Sequence, residues 1–194
     1  MVILIAGAGY VGKTLMAQKL LEKYKIPYLS IDHLKMGLFR SNNDYGFTPD
    51  SEDKIIIEKI WPIIKGIIMT NIENNQNIII EGCYFPESFN DLNKEYLNKV
   101  IIFYLIFSEN YIRKNFLEKI IVNRNIIENR GYYLNYLNDF IEKYILENKN
   151  NKEKCERNGI KYFEIEEDYE YEMNNVYKWI QEEMNSIYSN MEIS

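Results

Sequence analysis

Histidine is almost absent. His33 is the only one in 194 residues, which excludes a His-rich metal site and leaves this ring as a packing or surface residue at a helix start. Two cysteines, Cys83 and Cys155, lie far apart and match no metal-ligand spacing, so they read as reduced thiols of a cytoplasmic protein. Long apolar runs are also missing. The longest, VIIFYLIF at 100–107, is far short of the roughly 20 residues that span a bilayer. The opening MVILIA is too short for the apolar region of a signal peptide and runs into a glycine-rich turn, so no membrane partner is expected. Basic residues are outnumbered, with 23 Lys and Arg against 29 Asp and Glu and a net charge of −6; this argues against nucleic acid as the main partner. What remains is a globular composition, 46% hydrophobic and 27% charged, with no internal repeat or low-complexity linker. It suits one domain over residues 1–194 with a sizeable core.

Short apolar runs alternate with helical patterns. VILIA (2–6), PYLSI (27–31), NIIIE (77–81), VIIFYLIF (100–107) and KYFEI (161–165) read as buried strands. Helical periodicity falls at about 13–24, 51–75, 109–122, 132–157 and 169–188. This alternation predicts an α/β fold, a parallel sheet covered by helices on both faces. The polar stretch 40–50 reads as a loop before a helix capped by Asp50 or Ser51. Pro62 should kink or split that helix. The stripe Tyr133, Tyr136 or Leu137, Phe140, Tyr144 reads as core or subunit packing, and oligomeric state is left open.

The most specific signal is GAGYVGKT, residues 7–14. Gly7, Gly9 and Gly12 let a loop wrap phosphates with its backbone N–H groups. The helix that begins at its end adds a positive dipole through residues such as Leu15. Lys13 can reach the β and γ phosphates, and the Thr14 hydroxyl can ligate Mg²⁺. A strand precedes the motif and an amphipathic helix follows it, the context a Walker A loop requires. ATP and Mg²⁺ are therefore the expected cofactors. No Asn-Lys-x-Asp tetrad appears, because NKEY and NKVI lack the aspartate, and a GTPase is not expected.

With this loop and its order of elements, the chain resembles the P-loop small-molecule kinases. The resemblance implies a three-layer fold with a five-stranded parallel sheet in the order 2-3-1-4-5. It also implies a substrate-binding segment at about 32–75 and a lid at about 123–131. Topology puts Asp32 near the phosphates, since open parallel sheets bind ligands beyond the carboxyl ends of their strands. In similar kinases an aspartate here faces the acceptor hydroxyl or the Mg²⁺ shell. Lys35 and Arg40 resemble the basic groups that hold an acceptor's phosphate or carboxylate; surface cations are the alternative.

IIIEGCYFP at 78–86 has a Walker B layout, with Glu81 placed to hold a Mg²⁺-bound water. Gly82 would allow close substrate approach, and Tyr84 and Phe85 would line the acceptor pocket or the core. No arginine follows Pro86, which argues against an adenylate-kinase substrate site. Arg124 and Arg130 resemble lid arginines that close over the γ-phosphate, and Arg113 is a weaker candidate. The expected activity is transfer of the γ-phosphoryl group to a small-molecule acceptor. Tyr45, Phe47, Tyr84 and Phe85 would suit a stacked nucleoside or nucleotide. The alternatives are an NTPase or regulatory binding module without an acceptor and, against the acidic charge, a kinase of nucleic-acid ends.

Overall fold

A computed structural model describes residues 1–41, 44–122 and 137–192. Five parallel strands, β1 (Val2–Gly7), β2 (Tyr28–Ser30), β3 (Ile78–Gly82), β4 (Val100–Phe107) and β5 (Lys161–Ile165), form one sheet in the order β2-β3-β1-β4-β5. β1 lies at the centre. Val2 pairs with Ile78 on one side and Val100 on the other, and the register runs on to Ala6↔Gly82 and Gly7↔Leu105.

Side chains of a strand alternate between faces, and the sheet uses both. Ile3, Ile5, Phe103 and Leu105 pack against Met16, Ala17 and Leu20 of α1 (Lys13–Tyr24) and Met173, Val176 and Ile180 of α7 (Tyr169–Glu192). Val2, Leu4, Ala6, Tyr104 and Ile106 pack on the other side. There they meet Ile31 of α2 (Ile31–Arg40) and Ile56, Ile60, Ile64 and Ile68 of α3 (Asp53–Glu73). The i, i+4 spacing of those four isoleucines is the helical signal that seats α3. Each fully buried aliphatic side chain is worth roughly 1.5–3 kcal/mol, so these two faces hold the three layers together.

The short α4 (Lys94–Leu97) leads into β4. α5 (Glu109–Asn115) follows it, capped by the Ser108 hydroxyl, which accepts from the Tyr111 N–H at 3.1 Å, and runs on as a π-helical turn, Phe116–Ile121. α6 (Leu137–Asn158) contributes Tyr144 and Ile145 to the first face and Cys155 to the second, and so bridges the two cores.

Three local expectations need correction. Ile31 belongs to α2 rather than to β2, because Ser30 takes the N-cap position and Asp32 supplies an acid to the first turn. α3 is capped at Glu52, not Asp50 or Ser51; the Ser51 hydroxyl instead accepts from the Thr48 N–H at 2.9 Å. α3 is also one helix from Asp53 to Glu73 despite Pro62. Pro62 is exposed, so water can satisfy the carbonyl that proline leaves without an N–H partner. Among the described residues no helix is long and apolar enough to cross a membrane.

Candidate active site

The loop from Gly7 to Gly12 leaves β1 at the carboxyl edge of the sheet. Gly7 has φ +143°, and a side chain there would overlap the Leu105 carbonyl oxygen. Only glycine lets the loop turn this close to β4. Gly12, at φ +93°, lies against the Tyr169 hydroxyl at the start of α7, which leaves no room for a Cβ. Gly9 differs, because a Cβ built on it would meet nothing within 4 Å; the loop opens into free space at this point. No side chain caps α1, so its first-turn N–H groups, with Thr14 and Leu15 beside them, suit an anion.

Lys13 is 6% exposed and folds over the loop. Its Nζ donates to the Ala8 carbonyl at 2.6 Å and to Cys83 Sγ at 3.4 Å. Lys13 therefore reaches from the glycine loop to the exit of β3. Burial pushes the Cys83 thiol up, and the nearby Lys13 ammonium opposes that shift.

Glu81, 2% exposed, ends β3 opposite Ser30 of β2 and Ile5 of β1. The neighbouring Gly82 is tight for a packing reason: a Cβ there would lie 2.7 Å from the Ile31 side chain, so the glycine seats α2. Lys35, 8% exposed, donates to the Tyr84 hydroxyl at 2.7 Å and lies 3.6 Å from Asp32 Oδ1. Its ammonium also sits over the Tyr84 ring, 4.5 Å from the centroid. Burial works against the Lys35 charge, but the Tyr84 hydroxyl and the Asp32 carboxylate outweigh it, and the pKa rises above the ordinary lysine value. Burial likewise raises Tyr84, with Lys35 opposing.

α6 adds residues that the sequence did not reveal as site candidates. The Tyr144 hydroxyl donates to the Gly9 carbonyl at 2.6 Å. One turn on, Glu147 lies toward the Gly9 N–H, Lys13 and Asp53. Glu147 is accessible at the loop mouth, yet the protein around it desolvates the carboxyl and raises its pKa, with Lys13 opposing and Asp53 adding to the shift. Lys154 donates to the Phe85 carbonyl at 3.0 Å, tying the β3 exit to the same helix. Phe140–Tyr144–Glu147 is an i, i+4, i+7 run, so the aromatic stripe was the one signal that pointed to Glu147.

The structure thus sets Gly7, Gly9, Gly12, Lys13, Thr14 and Leu15 along the loop and the start of α1, with Glu81 and Gly82 on the neighbouring strand, and joins Asp32, Lys35 and Tyr84 through the Lys35 ammonium. Arg40 is exposed at the end of α2, and His33 is exposed two turns earlier. Arg113 is held on the surface by Glu109 at 2.8 Å and Glu142 at 2.6 Å. Phe85 is fully buried in the core, Phe47 is half-buried against it, and Tyr45 is exposed. Arg124, Arg130 and the expected lid lie outside the described residues.

The strand order and the glycine loop at the carboxyl edge define the fold of the P-loop small-molecule kinases. Among solved structures, the chain is similar to the shikimate kinase of Bacteroides thetaiotaomicron, at 16% identity and a TM-score of 0.52, over 93% of this chain and 98% of that one. A Chloroflexus aurantiacus protein whose kinase assignment is itself provisional aligns at 17% identity and a TM-score of 0.49, over 95% and 96% of the two chains. An uncharacterized protein from Eubacterium ventriosum aligns at 15% identity and a TM-score of 0.44, over 94% and 98%. No family model matches the sequence, and no curated protein matches it.

Proposed function

We propose that the protein is a cytoplasmic, ATP- and Mg²⁺-dependent phosphotransferase that moves the γ-phosphoryl group to a hydroxyl of a small metabolite. The observation that carries this reading is the reach of Lys13: one buried ammonium touches both the glycine loop and the β3 exit. A group held by Lys13 therefore lies between the nucleotide end and the acceptor end of the cleft.

The residues present fit a magnesium-bound triphosphate. The open face at Gly9, the uncapped first turn of α1 and Lys13 supply donors for phosphate oxygens. The Thr14 hydroxyl and the Glu81 carboxylate are the hard oxygen donors that Mg²⁺ takes beside phosphate. When bound, Mg²⁺ supplies positive charge to the transferring group.

Asp32 orients the acceptor hydroxyl and takes its proton. The acceptor oxygen forms the new P–O bond, and the bridging P–O bond breaks with its electron pair leaving on ADP. Lys35, Arg40, Gly82 and Tyr84 border the acceptor. Arg124 and Arg130 close from the lid and offset charge on the transferring group. Little covalent chemistry is asked of the protein, so positioning and charge carry the rate.

The test is ADP release from Mg·ATP by the wild type and Lys13→Ala over nucleosides, nucleotides, sugars and hydroxy acids. One acceptor class should raise release in the wild type alone. Tight ATP binding with no response to any acceptor would instead make the protein a nucleotide-dependent binding module.

A further inference from the structure

A side chain from outside holds the glycine loop. The Tyr144 hydroxyl of α6 donates to the Gly9 carbonyl at 2.6 Å. Tyr144 is buried, which limits competition from water for this bond. Its ring also meets the next loop residue: the Tyr10 and Tyr144 rings cross edge to face with centroids 6.5 Å apart. Tyr10 has φ +60°, the left-handed region that residues with side chains disfavour. Tyr144 thus touches both sides of the Gly9–Tyr10 peptide bond, where the loop backbone needs support.

Tyr144 is itself fixed. Asn148, buried one turn along α6, uses both halves of its amide. Its Nδ2 donates to the Tyr144 carbonyl at 2.9 Å, and its Oδ1 accepts from the Phe107 N–H at 2.9 Å. Phe107 is the last residue of β4. The Tyr144 ring also packs on Phe116 and Phe140, with centroids 5.8 Å and 6.4 Å away. A braced line therefore runs from the carboxyl end of β4 through α6 to the loop carbonyl. A trans peptide points its C=O and its N–H in opposite directions. With the Gly9 carbonyl turned to α6, the Tyr10 N–H points away from α6.

We propose that Tyr144 is a positioning residue for phosphate: its hydroxyl sets the Gly9–Tyr10 peptide so that the Tyr10 N–H is presented to a phosphate oxygen of the bound nucleotide. The inference rests on the nucleotide-binding half of the reading above and adds to it a residue from outside the loop. Neither hydrogen-bond partner carries a net charge, so the effect is one of orientation. Without the hydroxyl, the peptide rotates toward a conformation easier for Tyr10, and the cradle loses one aimed donor.

Calorimetry on Tyr144→Phe tests this with Mg·ATP, magnesium pyrophosphate and adenosine as probes. The substitution keeps the ring and its packing and removes only the hydroxyl. Kd for Mg·ATP and for pyrophosphate should each rise about fivefold, the scale of one uncharged hydrogen bond, with adenosine unchanged. A bond that only ties α6 to the sheet would lower the urea midpoint and leave phosphate affinity alone; that outcome overturns the inference. So does an equal loss for adenosine, which would report general loosening. Binding needs no acceptor, so the phosphotransferase reading is scored separately. A phosphate-selective loss in a protein that turns over no acceptor keeps Tyr144 in its role and removes the transferase. Wild-type protein that binds neither Mg·ATP nor pyrophosphate removes both.

Discussion

Around Lys13 the protein presents mostly backbone, whereas around Lys35 it presents mostly side chains. The nucleotide end is one contiguous loop, shaped by Gly7 against Leu105 and Gly12 against Tyr169. The other end draws Asp32 and Lys35 from α2 and Tyr84 from the β3 exit, joined through the Lys35 ammonium. Phosphate looks the same in every nucleoside triphosphate, so a fixed backbone cradle serves it. An acceptor is particular, and side chains can be exchanged without disturbing the sheet. The first end resists substitution because its geometry is steric. The second tolerates substitution and changes selectivity, because its geometry is electrostatic.

Four substitutions sharpen or break this contrast. Lys13→Ala removes the buried ammonium of the backbone end and should lower turnover by about a thousandfold, with the folded state intact by circular dichroism. Gly7→Ala places a side chain against the Leu105 carbonyl at positive φ and should cost about 3 kcal/mol in urea unfolding; an unchanged midpoint would deny that this end is sterically fixed.

Tyr84→Phe acts at the other end. It removes the hydroxyl that accepts from Lys35 and should cost about 1–2 kcal/mol at neutral pH. The folded state raises the Lys35 pKa above the ordinary lysine value of 10.5. That contribution is therefore complete below about pH 10.5 and is lost as pH rises through the raised value. The stability gap between wild type and variant should close in strongly alkaline urea titrations.

Glu147→Gln has the smallest expected effect. It removes a negative charge from the neighbourhood of the glycine loop and Lys13 and should tighten Mg·ATP about fivefold at neutral pH, the scale of an exposed charge pair. Lys13, Asp53 and the Gly9 N–H face this carboxyl, and its pKa is raised. As pH falls the wild-type group becomes neutral earlier than an ordinary glutamate, so the gap in calorimetric affinity between wild type and variant should narrow toward acid.

The same contrast governs what could be read from residue order. β4 and β5 fall on the expected ranges, as does α1, because their periodicity and flanking turns are local. The Walker A residues were legible for the same reason, since eight consecutive positions carry their own geometry. The approach of α6 to the glycine loop was not, because Tyr144 is an ordinary aromatic on a helix until tertiary packing brings its hydroxyl to the Gly9 carbonyl. Tyr169 was equally silent, since its contact with Gly12 spans most of the chain. Pro62 does not split α3, since on an exposed helix face water can satisfy the carbonyl that proline frees.

The central place of β1 also matters while the chain is being made. Its partners begin at Ile78 and Val100, so an apolar strand emerges long before either neighbour exists. At about 5–20 residues per second, the ribosome needs roughly 5–20 s to supply β4. Until then VILIA is an unpaired, aggregation-prone segment, and Gly7 has no Leu105 carbonyl to turn against. A nascent chain stalled before β4 should therefore engage chaperones and not nucleotide.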